Sequence, residues 1–290
     1  MPQLKIGIPK GSLETATVEL FADAGWAIST SSRNYFPSVD DDELNCTLVR
    51  SQEMGPYVAS GSLDAGLTGL DWVMETEADV ETVCDLIYSK ASNRGAHWVL
   101  IVPQVSAITK IEDLEGGKIA TELVGFTRRH LAEHGVNAEV EFSWGATEAK
   151  VVQGLADAAV EITETGSTIR AHGLRIVSEL LRTHTILIAN KAALADPWKK
   201  AKIDQMATLL TSALAARGKV LLKLNAPADK VETIVKLLPS LNAPTVSHLY
   251  KTDWLAVETV VARDKVRTLI PKLSGAGAEG ILELPIQKIV

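Results

Sequence analysis

Val160-Glu161-Ile162-Thr163-Glu164-Thr165-Gly166-Ser167-Thr168-Ile169-Arg170 is the stretch whose reading decides the fold. An apolar strand stops at an acidic step, and the chain turns through Thr-Gly-Ser-Thr into a helix start. Strand, small hydroxyl loop and helix in that order form the unit of an α/β protein. The turn also makes an anion seat: amides are free at a helix N-terminus and the peptide dipoles point their positive end there. Gly166 lets the backbone come close, Ser167 and Thr168 add hydroxyl donors, and the strand-end carboxylates can hold sugar hydroxyls. A phosphorylated ribose suits such a site. An ordinary strand-to-helix turn with Ser or Thr as its N-cap fits the same string. A Walker loop does not, because no Gly-Lys-Ser/Thr follows.

Working outward, the same grammar recurs. Leu4 to Pro9 reads as a strand ending in Lys10-Gly11-Ser12, before a helix with Leu13, Thr17, Leu20, Phe21 and Ala24 on its apolar face. Leu44 to Val49 brings Arg50 to a strand end, and a short helix follows from about Glu53. Leu63 to Asp71 reads as a buried strand stopping at Thr68-Gly69 before another helix. In open α/β sheets ligands gather at the carboxyl ends of strands, which puts Lys10, Arg50 and Thr68 to Asp71 on one rim. Lys10 at such a turn either meets phosphate oxygens or simply begins an α/β domain.

After His97 to Pro103, apolar enough for a central strand, the pattern restarts. Lys118 to Glu122, Ala138 to Trp144 and Ala158 to Thr163 read as strands, with helices over Gly125 to His134 and Ala146 to Leu155. Arg175 to Leu181 and Thr185 to Asn190 lead back. The expectation is an α/β protein of two lobes joined by two crossings, like periplasmic binding proteins, with a cleft between them. Residues 1–103 with 180–217 form the first lobe and 104–179 the second. Asp196-Pro197 opens a long helix, N-cap then Pro, that stops at Gly218. Residues 218–290 then follow the order β-α-β-β-α-β, the ferredoxin-like order. Such an appendage is either a regulatory module or a surface for oligomer contacts.

Composition excludes several classes. The chain has 290 residues, 46% hydrophobic and 22% charged, the balance of a folded globular protein. No apolar run approaches the roughly 18 residues of a membrane span, and Met-Pro-Gln-Leu-Lys leads straight into a strand rather than a signal peptide. A cytoplasmic protein is expected, with no membrane partner. The net charge of -7 speaks against nucleic-acid binding. Cys46 and Cys84, far apart in strand-like contexts, read as buried thiols.

His130-Leu131-Ala132-Glu133-His134 spells the inverted zinc-protease motif, but its helix is mostly polar and no third ligand is near, so a solvated face accounts for it. His97, His172, His184 and His248 have no nucleophile at a motif-like spacing, and no Gly-x-Ser-x-Gly elbow occurs. Gly145 to Lys150 is a glycine turn opening a helix, either a second anion contact or a capped helix. The six Trp residues are scattered, as core residues are.

Taken together, Leu4 to Leu13 (LKIGIPKGSL), Asp64 to Val73 (DAGLTGLDWV), Gly145 to Asp157 (GATEAKVVQGLAD), Glu161 to Leu174 (EITETGSTIRAHGL), Ala243 to Ser247 and Ile281 to Ile286 resemble one family along nearly the whole chain. It is the long form of the ATP phosphoribosyltransferases, which open histidine biosynthesis. The resemblance implies attack of adenine N1 of ATP on the anomeric carbon of phosphoribosyl pyrophosphate, with Mg2+ on the pyrophosphate. It implies Lys10 and Arg50 toward phosphates, Thr68, Gly69 and Asp71 at the nucleotide cleft, and Glu161 on ribose hydroxyls. Thr165, Gly166, Ser167 and Thr168 would receive the 5-phosphate, with Glu164 beside them among the substrate-binding residues. The C-terminal domain would bind L-histidine as inhibitor, with contacts at Leu241, Thr245, Ser247, Ala276 and Ala278, and the chain would form dimers and hexamers.

Departures from the family pattern are plain. Glu161 stands where Asp is usual, and Glu164 replaces a small polar residue and must point away from a phosphate or pair with a cation such as Arg170. Ser12 replaces an Arg, and Glu122-Leu123 a Ser/Thr-Tyr step. Prephenate dehydratase, another two-lobed enzyme with a sensing tail, would need a Thr-Arg-Phe signature, and Phe126-Thr127-Arg128 has the wrong order. A non-catalytic effector-binding protein remains the rival reading from another class.

Overall fold

Alternation and burial decide the elements of the computed structural model, which describes residues 2–31, 34–88, 95–239 and 243–290. Two units separate, Met1–Thr211 and Ser212–Val290. The first begins with β1 (Leu4–Lys10), α1 (Glu14–Ala24), a hairpin of β2 (Ile28–Ser31) and β3 (Asn34–Val39), β4 (Leu44–Arg50), α2 (Ser51–Ala59), β5 (Ala65–Gly69), α3 (Leu70–Thr76) and β6 (Glu81–Leu86). It continues with β7 (Ala96–Pro103), β8 (Lys118–Thr121), α4 (Val124–Glu133), β9 (Glu139–Phe142), α5 (Thr147–Val152), β10 (Ala158–Thr163), α6 (Ser167–Ala171) and β11 (Leu174–Thr183). β12 (Thr185–Ala189), α7 (Lys191–Ala195) and α8 (Pro197–Ala216) follow, and the division between the units falls within α8.

Two five-stranded sheets make two lobes. The first has the order β4-β1-β5-β12-β6 and the second β11-β7-β10-β8-β9. In the first, β1 runs parallel to β4 and β5, and β12 runs antiparallel to β5 and β6. Every residue of β12 is buried, as is all of β5 except Gly69. This is the burial of strands covered on both faces, and it explains why they read as short apolar runs rather than alternating ones. Burial also pushes the Cys46 thiol up to about 12 and the Cys84 thiol to about 11, which disfavours the thiolate form of both.

The first crossing falls earlier than expected. β7 pairs antiparallel with β10 and with β11, so residues 96–103 belong to the second sheet, not to the first lobe as the 1–103 boundary had it. Residues 180–183 stay there too, at the end of β11. The run Trp98 to Val102 is fully buried. Apolarity of that kind marks a central strand without saying which sheet holds it. The second crossing is His184 alone, between β11 and β12.

The second unit comprises β13 (Lys219–Pro227), α9 (Val231–Leu237), β14 (Thr245–His248), β15 (Trp254–Ala262), α10 (Arg263–Gly275) and β16 (Glu279–Pro285). Its sheet order is β14-β15-β13-β16, all neighbours antiparallel, the ferredoxin-like arrangement expected for β-α-β-β-α-β. Val220, Leu222, Leu224 and Ala226 alternate along β13 into a core shared with Ile234, Val266, Leu269 and Leu273.

Candidate active site

The carboxyl ends of the parallel strands face a cleft of about 540 Å3 between the two lobes of the first unit. Lys10 ends β1, Arg50 ends β4 and Gly69 ends β5; from the second lobe come Glu122 after β8 and Ile162 and Glu164 around the end of β10. Trp72, Tyr88 and Trp98 add aromatic surface. The geometry follows from the parallel pairing: β1 and β4 lie in register through Lys10↔Arg50, so both cations arrive on one edge.

Each cation rests on a ring. Lys10 Nζ stands 3.6 Å from the Tyr35 ring centroid, and the Arg50 guanidinium carbon 5.4 Å from that of Trp144. Tyr35 belongs to the β2–β3 hairpin and Trp144 follows β9 in the opposite lobe. Neither ring was singled out from the sequence. Trp144 was legible only as an aromatic residue just beyond a strand end and before a glycine.

Asp71 lines the cleft but is 3% exposed. Its Oδ2 accepts the Trp98 indole N–H at 2.7 Å, and its own amide donates to Thr183 Oγ1 at 3.2 Å. Burial holds its carboxyl above the ordinary aspartate range, against the pull of these hydrogen bonds. Asp71 thus ties the first lobe to β7 and β11. A side chain at Gly69 would displace Asp71, since a Cβ would stand 2.0 Å from Asp71 Oδ1. Thr68, expected at the rim, is fully buried and donates its hydroxyl to the Ser51 carbonyl at 2.8 Å. It braces the turn into α2 and does not line the cleft.

The Thr165 to Thr168 loop lies beside the cleft and does not line it; of this stretch Ile162 and Glu164 reach the wall. α6 is only five residues long, with Gly166 as its N-cap at φ 69°, a left-handed conformation that favours glycine. The Gly166 amide is occupied by Thr163 Oγ1 at 2.8 Å, Thr165 Oγ1 donates to Ser167 Oγ, and Arg170 Nη2 donates to the Thr165 carbonyl. Glu161 sits near the end of β10. Burial, with repulsion from Glu148 and Glu122, pushes its carboxyl up to about 7, although the Ile162 amide and Thr147 hydroxyl pull the other way. Glu122 is raised too, by burial and by Asp71.

A second tie between the lobes was not legible at all. The Glu75 carboxylate, at the end of α3, accepts the amides of Gly125 and Phe126 at 2.8 and 2.7 Å. It caps α4 across the lobe boundary. Arg129 of α4 reaches back to the Met74 carbonyl and to Glu77 Oε2, the latter at 3.2 Å. Just past the end of that helix His134 Nδ1 lies 2.8 Å from the His130 carbonyl. Among the described residues no group of three His, Cys, Asp or Glu side chains is placed to hold a metal ion.

Of the residues expected to meet an effector, Thr245 and Ser247 are exposed on β14, Ala276 is half-buried, and Ala278 is 3% exposed in the core of the second unit. The Ala278 side chain therefore packs inward, because the apolar alternation continues past α10. Leu241 lies outside the described residues.

Comparison with known proteins decides the family. The model of the ATP phosphoribosyltransferase family matches residues 50–212, and that of the HisG C-terminal domain residues 216–288. The chain belongs to the ATP phosphoribosyltransferase family. It is an enzyme, a transferase of the first step of histidine biosynthesis. ATP phosphoribosyltransferase 1 of Geobacter sulfurreducens is 61% identical over 287 residues, covering 99% of each chain. ATP phosphoribosyltransferase of Geotalea uraniireducens is 60% identical over the same length, again covering 99% of each. Among solved structures, the ATP phosphoribosyl transferase (HisG:HisZ) complex from Thermotoga maritima aligns with a TM-score of 0.63 at 23% identity, over 72% of this chain and 99% of that one. At that identity the likeness is one of fold. In the described part of this phosphoribosyltransferase no helix is long and apolar enough to cross a membrane.

Proposed function

We propose that the interlobe cleft binds ATP and phosphoribosyl pyrophosphate together and joins adenine N1 to the anomeric carbon, releasing pyrophosphate. The observation that carries this reading is the polarity of the cleft: Lys10 and Arg50 on the β1–β4 edge, and Trp72, Trp98 and the carboxyl of Glu122 on other parts of its wall. Polyphosphates suit the first and a purine with an amino edge the second. Lys10 and Arg50 meet phosphates, Gly69 and Asp71 shape the nucleotide wall, and Glu161 accepts ribose hydroxyls. Thr165, Gly166, Ser167 and Thr168 take the 5-phosphate, with Glu164 ahead of them on the cleft wall as a further substrate contact. Since that loop stands beside the cleft, closure of the lobes completes the site.

No nucleophile of the protein is required. The departing pyrophosphate leaves oxocarbenium character on the ribose, and the protein contributes orientation of N1 along the line of displacement and neutralisation of the phosphates. The reaction calls for a metal ion, which we assign as Mg2+. Such an ion would neutralise pyrophosphate charge, and Glu122 and Glu164, the carboxylates of the wall other than buried Asp71, would be the residues to help hold it.

The second unit is assigned as a histidine-sensing module, with Thr245, Ser247 and the backbone around Ala276 to Ala278 as contacts, and dimer and hexamer as the states it shifts between. The enzyme is assigned to the cytoplasm. Incubation with ATP, phosphoribosyl pyrophosphate and Mg2+, with pyrophosphatase present, is expected to give the absorbance rise of phosphoribosyl-ATP. A flat trace would end the reading.

A further inference from the structure

Lys10, half-buried, and Arg50, exposed, sit differently from the shielded lysines Lys199 and Lys202. Lys199 pairs with Asp64 at 2.7 Å, and Lys202 with Asp41 and Glu43, each at 2.7 Å. Lys10 and Arg50 make no ion pair among the described residues, in a chain where 36 acidic residues outnumber 29 basic ones. Each instead has an aromatic ring within the roughly 6 Å reach of a cation–π contact. The two kinds of partner differ physically. A carboxylate fixes a cation but cancels its charge, and an incoming phosphate must displace it. A ring face fixes the cation and leaves the charge to act on a ligand.

Neither ring is a core residue: Tyr35 is 56% and Trp144 60% exposed, and the one ring beside Trp144 among the described residues is Phe142, 6.0 Å away. Both cations also line a neighbouring cavity of about 460 Å3, so a long, rotamer-rich side chain left unseated has two directions in which to turn. Tyr35 arrives on the β2–β3 hairpin and Trp144 from the second lobe, so neither seat is built by the strands that carry the cations.

We propose that Tyr35 and Trp144 are positioning residues that hold Lys10 and Arg50 in place, still fully charged, for the polyphosphate groups of the substrates. This rests on the assignment of the cleft above. Because Trp144 stands on the opposite lobe, the Arg50 seat is assembled across the cleft and couples anion binding to the approach of the lobes.

The test uses the full chain, inorganic pyrophosphate as the probe and titration calorimetry. Trp144→Leu and Tyr35→Leu should each weaken pyrophosphate binding about two- to fivefold, the effect of one cation–π contact at an exposed site. The double variant should approach the product of the two. Trp144→Phe and Tyr35→Phe, which keep a ring face, should stay within about twofold of the parent. In steady state the Leu variants should raise KM for the substrates while kcat at saturation changes less, with no shift of the thermal midpoint. Unchanged or tighter pyrophosphate binding in the Leu variants would overturn the proposal, as would Phe variants as weak as the Leu ones. If the parent binds pyrophosphate and the variants behave as stated but no phosphoribosyl-ATP forms, the reaction assigned above falls and the seats stand. If the parent turns over and the Leu variants bind pyrophosphate unchanged, the seats alone fall.

Discussion

Glu161 is the residue whose environment most changes its chemistry. Its carboxyl is held up to about 7 from an ordinary 4.5, chiefly by burial. A carboxyl whose folded value is raised keeps a proton that the unfolded chain releases. The stability this adds is fully present below the unfolded value and is lost as pH rises through the folded one. Between about pH 4.5 and 7 the wild-type chain should therefore lose stability relative to Glu161→Gln. Discounting for partial exposure, the variant should lead by about 2 kcal/mol at pH 8 and by little at pH 5. Urea midpoints at the two pH values check this, and parallel curves would refute it. The same ionisation should tighten phosphoribosyl pyrophosphate binding as pH rises through 7, and the Gln variant should lack that slope. Gly69→Ala places a Cβ 2.0 Å from Asp71 Oδ1. Dislodging Asp71 from the Trp98 indole should cost roughly 2 kcal/mol, read as a lower urea midpoint. At this scale legibility followed position. The place of Lys10 and Arg50 on the cleft rim was readable because a charge at the carboxyl end of a parallel strand has few places to go. Thr68 was not, because a hydroxyl one residue before such an end bonds inward or outward with equal ease.

The element that most shapes the site is α3. By chain it follows the first sheet, yet Asp71 bonds Trp98 in β7, and Glu75 caps α4. Glu75→Ala leaves the Gly125 and Phe126 amides without that acceptor. The loss should be about 1 kcal/mol, in the usual range for an N-cap, with faster amide hydrogen exchange confined to the first turn of α4. Uniform exchange across the second lobe would instead mean that the cap holds the whole sheet. Nothing in the heptapeptide LDWVMET announces a cap for a helix some 50 residues on. Long-range polar contacts leave no period in a sequence, whereas the apolar runs of β5, β7 and β12 do. The β2–β3 hairpin escaped for a related reason: Asn34, Tyr35 and Phe36 are exposed one after another, which gives no clean alternation.

For the whole molecule, two lobes and a β-α-β-β-α-β tail were legible because the strand–turn–helix grammar stops and restarts. The place of the first crossing was not, since β7 carries the same signature in either sheet. The tail has its own core, and a chain ending at Arg217 is expected to keep turnover but lose inhibition by histidine, measured as initial rate against histidine concentration. Retained inhibition would move the effector site into the first unit.

His184 is all that separates β11 from β12. Its carbonyl accepts the Leu70 amide that begins α3, and its Nε2 lies 2.9 Å from Asp85 Oδ1. A link of one residue contributes only two soft backbone torsions. It acts like a pin and not like a tether: with Asp71 and Glu75 bonded across the same boundary, it leaves the two lobes little room to slide past one another. The wall that carries Lys10 and Arg50 is thereby held facing the wall that carries Glu122 and Glu164.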